Sequence, residues 1–202
     1  MKRLSIVLLV LFVLVPATLS ASMINLSLGA TAVYGESFGA IAEATSYDGF
    51  SNIDNYRFGA DLRLRILLAE IDAVAMFGKQ DEYTDISMLA TAGISLDLLD
   101  IIRIGAGIGP RFNILVGAGG ELAVKDVNGD TIENIDSAGE AFLKSPLAYR
   151  LTADIKLGNI LVGLNYTLDT EYTFENYDQF DKIFAPKFDD GAVGISVLYS
   201  FF

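Results

Sequence analysis

The chain has 202 residues, a formal charge of −12 at neutral pH, 52% apolar side chains, no cysteine and no histidine. The negative balance excludes a nucleic-acid role, because phosphate binding needs a basic surface. Missing cysteine excludes disulfides, thiol chemistry and a lipidated N-terminal Cys. Missing histidine removes the usual base for activating a Ser or a water, so the chain is read as non-enzymatic, with no cofactor and no metal site.

Residues 1–21 read as a signal peptide. Lys2 and Arg3 supply the positive end, residues 4–15 form an apolar run broken only by Ser5, and Pro16 and small residues follow. Cleavage after Ala21 is the first choice and after Ala17 the alternative. The exported domain then covers residues 22–202. Beyond residue 22 no stretch reaches the ~18 apolar residues of a transmembrane helix, so the apolar content must lie in strands.

Eight segments alternate apolar and polar residues with a period of two, which is the signature of a strand with two different faces. They cover residues 24–34, 56–66, 71–78, 88–97, 102–114, 147–157, 160–168 and 191–202. In the second, Tyr56, Phe58, Ala60, Leu62, Leu64 and Ile66 oppose Arg57, Gly59, Asp61, Arg63 and Arg65. In the last, Val193, Ile195, Val197, Tyr199 and Phe201 form the apolar file. Most segments run ~9–12 residues, the length a tilted strand needs to cross a bilayer. Pro110 falls on the apolar file of the fifth, where a bulge or the end of pairing must accommodate it.

The connections are unequal. Short ones lie at 67–69, 98–100 and 158–159; long ones span 35–55, 116–146 and 169–190, with an intermediate one at 79–86. Short turns at one end and long loops at the other suit an eight-stranded antiparallel up-and-down barrel in a membrane. Soluble barrels alternate too, with apolar residues inside. Two features favour lipid outside. Tyr34, Tyr56, Phe58, Phe77, Phe112, Tyr149 and Tyr166 gather near the long-loop ends as an interfacial girdle. The polar file is rich in glycine and arginine, which suits a cramped interior. Leu62, Leu64, Ile104, Leu151, Val162 and Val197 should therefore point out, and Arg63, Arg65, Arg103 and Arg150 in.

The ending Tyr199-Ser200-Phe201-Phe202, after an alternating strand, resembles the closing strand of small bacterial outer-membrane β-barrels of the OmpA, OmpX and OmpW kinds. Phe201 keeps register with the apolar file and Phe202 lies one residue beyond, so either can serve as the terminal aromatic. The resemblance implies residence in the outer membrane with loops extracellular and termini periplasmic. It also implies outer-membrane lipid as surroundings and recognition of Tyr199, Phe201 and Phe202 by the barrel-assembly machinery. Barrel enzymes of that membrane rely on a histidine that this chain lacks.

Three constellations could carry function. The first is an inward charge cluster of Arg57, Arg63, Arg65, Arg103, Arg111, Arg150 and Lys156 against Asp61, Asp72, Asp97 and Asp154. An eight-stranded interior is just wide enough for side chains to fill it, so these are read as a packed plug of ion pairs. Asp61, Asp72 and Asp154 should each meet a cation, with the cationic surplus of Arg57, Arg111 and Arg150 near the open rim. The alternative is a narrow conduit with a cationic lumen.

The second is an acidic crown. Twenty of the 26 carboxylates fall in the four connections at the long-loop end, Glu36, Glu43, Asp85, Glu171 and Glu175 among them. Such a density suits a basic surface partner or divalent cations. Tyr172, Phe174, Tyr177, Phe180, Phe184 and Phe188 interleave the acids of the last loop and suggest packing between loops or a binding surface.

The third is Asp126–Asp130, which resembles a calcium loop only superficially and reads better as a type I′ turn at Asn128–Gly129. It would join 122–127 to 130–135 in a hairpin protruding from the third long loop. The overall reading is a structural or adhesin-like surface protein acting through its loops.

Overall fold

The computed structural model describes residues 24–44, 48–80, 83–117, 122–125, 131–133, 142–184, 186 and 188–202. The expected signal peptide and the expected Asn128–Gly129 turn lie outside them. Strands β1 (Ile24–Ser37), β2 (Tyr56–Ile66), β3 (Ala69–Gln80), β4 (Tyr83–Leu98) and β5 (Ile102–Val116) come first. A small pair follows, β6 (Leu122–Lys125) and β7 (Thr131–Glu133), then β8 (Pro146–Leu157), β9 (Ile160–Thr173) and β10 (Ala192–Ser200). A short helix α1 (Phe38–Glu43) opens the first long loop.

Every neighbouring pair is antiparallel, and β1 pairs with both β2 and β10. β5 pairs with both β4 and β8, so eight strands close into an up-and-down barrel with no free edge. The β6–β7 hairpin adds to the upper end of β5 through Ile114–Val116, outside the closed ring. Pro110 sits opposite Leu147 on the last rung between β5 and β8. On its other side the β4–β5 register passes from Leu89–Arg111 to Ala92–Ile108 and skips Pro110, where the missing N–H leaves that ladder interrupted.

The tight turns hold Leu67, Leu99, Asp100 and Gly158 at positive φ. Only Gly158 adopts that region without steric cost. At the closing seam a Cβ on Gly29 would fall on the carbonyl of Val197, so the close approach of β1 and β10 requires glycine there.

Alternation puts the two files on opposite walls, and the distribution is inverted relative to a soluble protein. Leu62, Ile104, Leu151, Val162 and Val197 are exposed on the outer wall, with Leu64 half-exposed beside them. Arg63, Arg65 and Arg150 are the largest fully buried side chains. An outer wall of this kind needs an apolar medium around it, and an interior of this kind needs its own charges for partners.

The β3–β4 hairpin is longer than the sequence pattern indicates. Pairing runs on through Gly78–Asp85 and Lys79–Thr84 to Gln80–Tyr83, so the expected connection at 79–86 is mostly strand. The ladder is set by partner backbones, which a search for apolar alternation does not register.

Candidate functional site

The inward file of each strand brings charged groups of distant sequence position into layers. Nearest the tight turns, Asp97 on β4 accepts from three cations. Arg65 Nη2 and Arg103 Nε each lie 2.9 Å away, and Lys156 Nζ lies 3.2 Å away. Arg103 Nη1 also donates to Asn25 Oδ1 at 3.1 Å. Asn25 in turn donates to Ser200 Oγ at 2.7 Å and to the Phe202 carbonyl at 2.6 Å. The network therefore ties the barrel floor to the closing strand.

The middle layer centres on Asp61. Its carboxylate accepts from Arg150 Nη2 at 2.6 Å, Arg63 Nη2 at 2.9 Å and Ser196 Oγ at 2.9 Å. Arg63 Nη1 reaches across to Asp154 at 2.7 Å, and Arg150 Nε lies 3.6 Å from Asp72. Asn165 and Thr31 complete the layer through Ser196. Hydrogen bonds of this charge-assisted kind are the strong ones, and they hold the arginine forks in fixed planes.

Above this layer the inward file turns apolar. Val33, Val74, Met76, Leu89 and Ala148 pack into one buried cluster. Val33, Leu89 and Ala148 are the cross-strand partners of Arg57, Arg111 and Asp169, so the cluster packs among a second set of charges. The upper set is Arg57 with Asp85 at 2.8 Å and Arg111 with Asp169 at 3.0 Å.

The expected excess of seven cations over four acids is not found among the described residues. Glu70, Asp85 and Asp169 join Asp61, Asp72, Asp97 and Asp154, giving seven acids against the same seven cations. The apolar alternation starts the fourth strand at Met88 and so leaves Asp85 in the acidic crown. The longer β3–β4 ladder turns it inward, where it is 1% exposed. Asp169 moves inward for a similar reason, because β9 continues to Thr173. Glu70 opens β3, beyond the reach of an apolar pattern that begins at Ile71.

The expected position of Arg150 near open water is likewise corrected. It is 1% exposed and bound to Asp61, because β8 starts at Pro146 and carries Arg150 one layer below the mouth. Glu70 stands apart: its carboxylate makes no ion pair among the described residues, and its Oε2 is buried without a hydrogen-bond partner.

At the long-loop end the girdle aromatics hold the loops. Tyr34 stacks on Phe50 at 4.6 Å between ring centres, and Phe112 meets Phe142 at 5.6 Å. Tyr56 donates to the Phe50 carbonyl at 3.0 Å. Carboxylates that remain exposed there include Glu36, Glu43, Asp54, Glu171, Glu175 and Asp178. Among the described residues no cluster of three or more acids is placed to hold a metal ion.

At the C-terminal seam the Phe201 N–H donates to the Leu26 carbonyl at 2.8 Å, and its ring meets Tyr199 edge-on at 5.2 Å. Phe201 thus continues both the ladder and the outward aromatic file.

No family profile matches the chain, and no curated protein matches it either. Among solved structures the chain is similar to Neisserial surface protein A (NspA), at 12% identity and a TM-score of 0.40. That likeness covers 89% of this chain and 96% of the other. The assignment of the fold rests on the strand pairing described above and not on that likeness.

Proposed function

We propose that the protein is an integral outer-membrane β-barrel of a bacterial cell, sealed along its axis and acting through its surface loops in a structural or adhesive role. The observation that supports the sealed reading is the lumen itself. Three layers fill it: the Asp97 network, the Asp61 network and the apolar cluster around Leu89. Charged side chains block by bulk, and the apolar side chains packed among them block by excluding water. Equal numbers of lumen cations and acids remove the net field that would draw an anion through.

The signal-peptide pattern of residues 1–21 and the inverted distribution of side chains support the outer membrane as the location. The short turns then face the periplasm and the long loops the outside, and the barrel-assembly machinery engages β10 with its terminal aromatics. The exposed carboxylates of the loops offer a surface for a basic partner or for divalent cations. The missing histidine, the side chain most often used as a general base, supports a non-enzymatic role.

The refolded protein in a planar lipid bilayer tests the sealed reading. The expected result is no steady ohmic conductance. Steady conductance would replace this reading with that of a narrow conduit.

A further inference from the structure

The last long loop is folded down the outside of the barrel. Tyr149 and Leu168 are cross-strand partners on the outward file of β8 and β9, in line with the exposed Leu151 and Leu164. Leu168 is nonetheless only 2% exposed, and Tyr172, farther along β9, only 4%. The loop covers them. Phe180 stacks on Tyr172 at 5.6 Å, and the short turn Phe180–Phe184 packs along β9.

Two outward tyrosines fasten the loop backbone. Tyr149 Oη donates to the Ile183 carbonyl at 2.9 Å, and Tyr166 Oη donates to the Phe188 carbonyl. Phe38 of α1 packs edge-on against Tyr166, and its N–H donates to the Gly191 carbonyl at 2.7 Å. The loop therefore hides one apolar surface and presents another. Phe180 is 60% exposed, Phe184 82% and Phe188 64%.

We infer that this loop is an interfacial anchor, with Phe180, Phe184 and Phe188 seated at the headgroup–acyl boundary of the lipid layer. The inference rests on the membrane reading above. Lipid is favoured as the occupant because the aromatic segment is fastened to the outward side chains Tyr149, Tyr166 and Tyr172, at the level of the tyrosine girdle. Rings at that level gain from partial burial in the boundary region. The tyrosine bonds matter for the same reason: irregular backbone in a water-poor layer needs its carbonyls satisfied. Asp181, Asp189 and Asp190 stay exposed beside the rings, so the segment is amphipathic and suited to the boundary, not to the acyl core.

The natural chain has no tryptophan, so single substitutions report without background. Phe184→Trp, Phe188→Trp and Leu164→Trp would each be refolded into phosphatidylcholine vesicles carrying bromine near the headgroup end or near the methyl end of the acyl chains. Circular dichroism confirms the barrel in each. For Phe184→Trp and Phe188→Trp the expected result is strong quenching by headgroup-end bromine and several-fold weaker quenching by methyl-end bromine. The Leu164→Trp variant, on the mid-wall, should be quenched in both. Quenching of Leu164→Trp alone, with water-like emission from the two loop variants, overturns the anchor and leaves those rings for a protein partner. Absence of quenching in all three overturns the membrane reading and the anchor together.

Discussion

At the scale of single residues, the lumen shows how much depends on whether a buried carboxylate has found a cation. Asp97 is fully buried and holds Arg65, Arg103 and Lys156 at once. Neutralising it strands three positive groups in a space with little water. Removing one partner of such a cluster typically costs about 3–5 kcal/mol. Asp97→Asn should lower the unfolding free energy by about that amount in urea titrations of the protein in vesicles. Glu70 is nearly as buried and lies opposite Arg65 on the β2–β3 ladder but makes no ion pair among the described residues, so Glu70→Gln forfeits no direct pair and should cost under about 1 kcal/mol. Equal losses for the two substitutions would show that proximity to a cation does not set the energetics of this lumen.

At the scale of elements, closure is the step that local sequence supports least. β1 and β10 are joined through residues 165 positions apart, as in the Ser196–Thr31 contact, and no hairpin turn assists them. Their backbones approach closely at Gly29, where any Cβ collides with Val197 and Leu198. Gly29→Val should therefore prevent the seam from forming, although valine favours strands in general. The expected readout is loss of protease resistance and of the folded β signal after refolding. A Gly29→Val barrel that folds normally would show that the seam can shift without cost. Hairpin elements depend on other features. Leu99 and Asp100 turn the chain at positive φ, a conformation imposed by the register of β4 and β5 and not preferred by either residue.

For the whole molecule, the decisive property is insulation. Seven cations and seven acids sit inside a wall of hydrogen-bonded strands, most of them nearly inaccessible to water. Mobile ions screen exposed charges strongly at high salt and buried pairs much less. Raising NaCl from about 0.1 M to about 1 M, which shortens the screening length from about 10 Å to about 3 Å, should therefore shift the urea midpoint little. A large loss of stability with salt would mean that the lumen is wet and its pairs are accessible. That result would agree with conductance and contradict the sealed barrel.

The strand files, their inward and outward faces and the unequal connections are all legible in the linear sequence. The reason is local: a period of two survives wherever one wall is apolar and the other is not, and Leu62 beside Arg63 states it within two residues. The same logic located the arginines of the lumen. It could not count the acids, because Asp85 and Asp169 lie where strands continue for lack of any reason to stop pairing. Strand ends are decided by the partner backbone, and that partner is known only once the barrel has closed. Nor could the sequence tell that Phe180, Phe184 and Phe188 belong to the outer wall. Acids and aromatics interleave in that loop without a period. Its position follows from Tyr149 and Tyr166, whose hydroxyls reach the carbonyls of Ile183 and Phe188 only when β8 and β9 stand side by side.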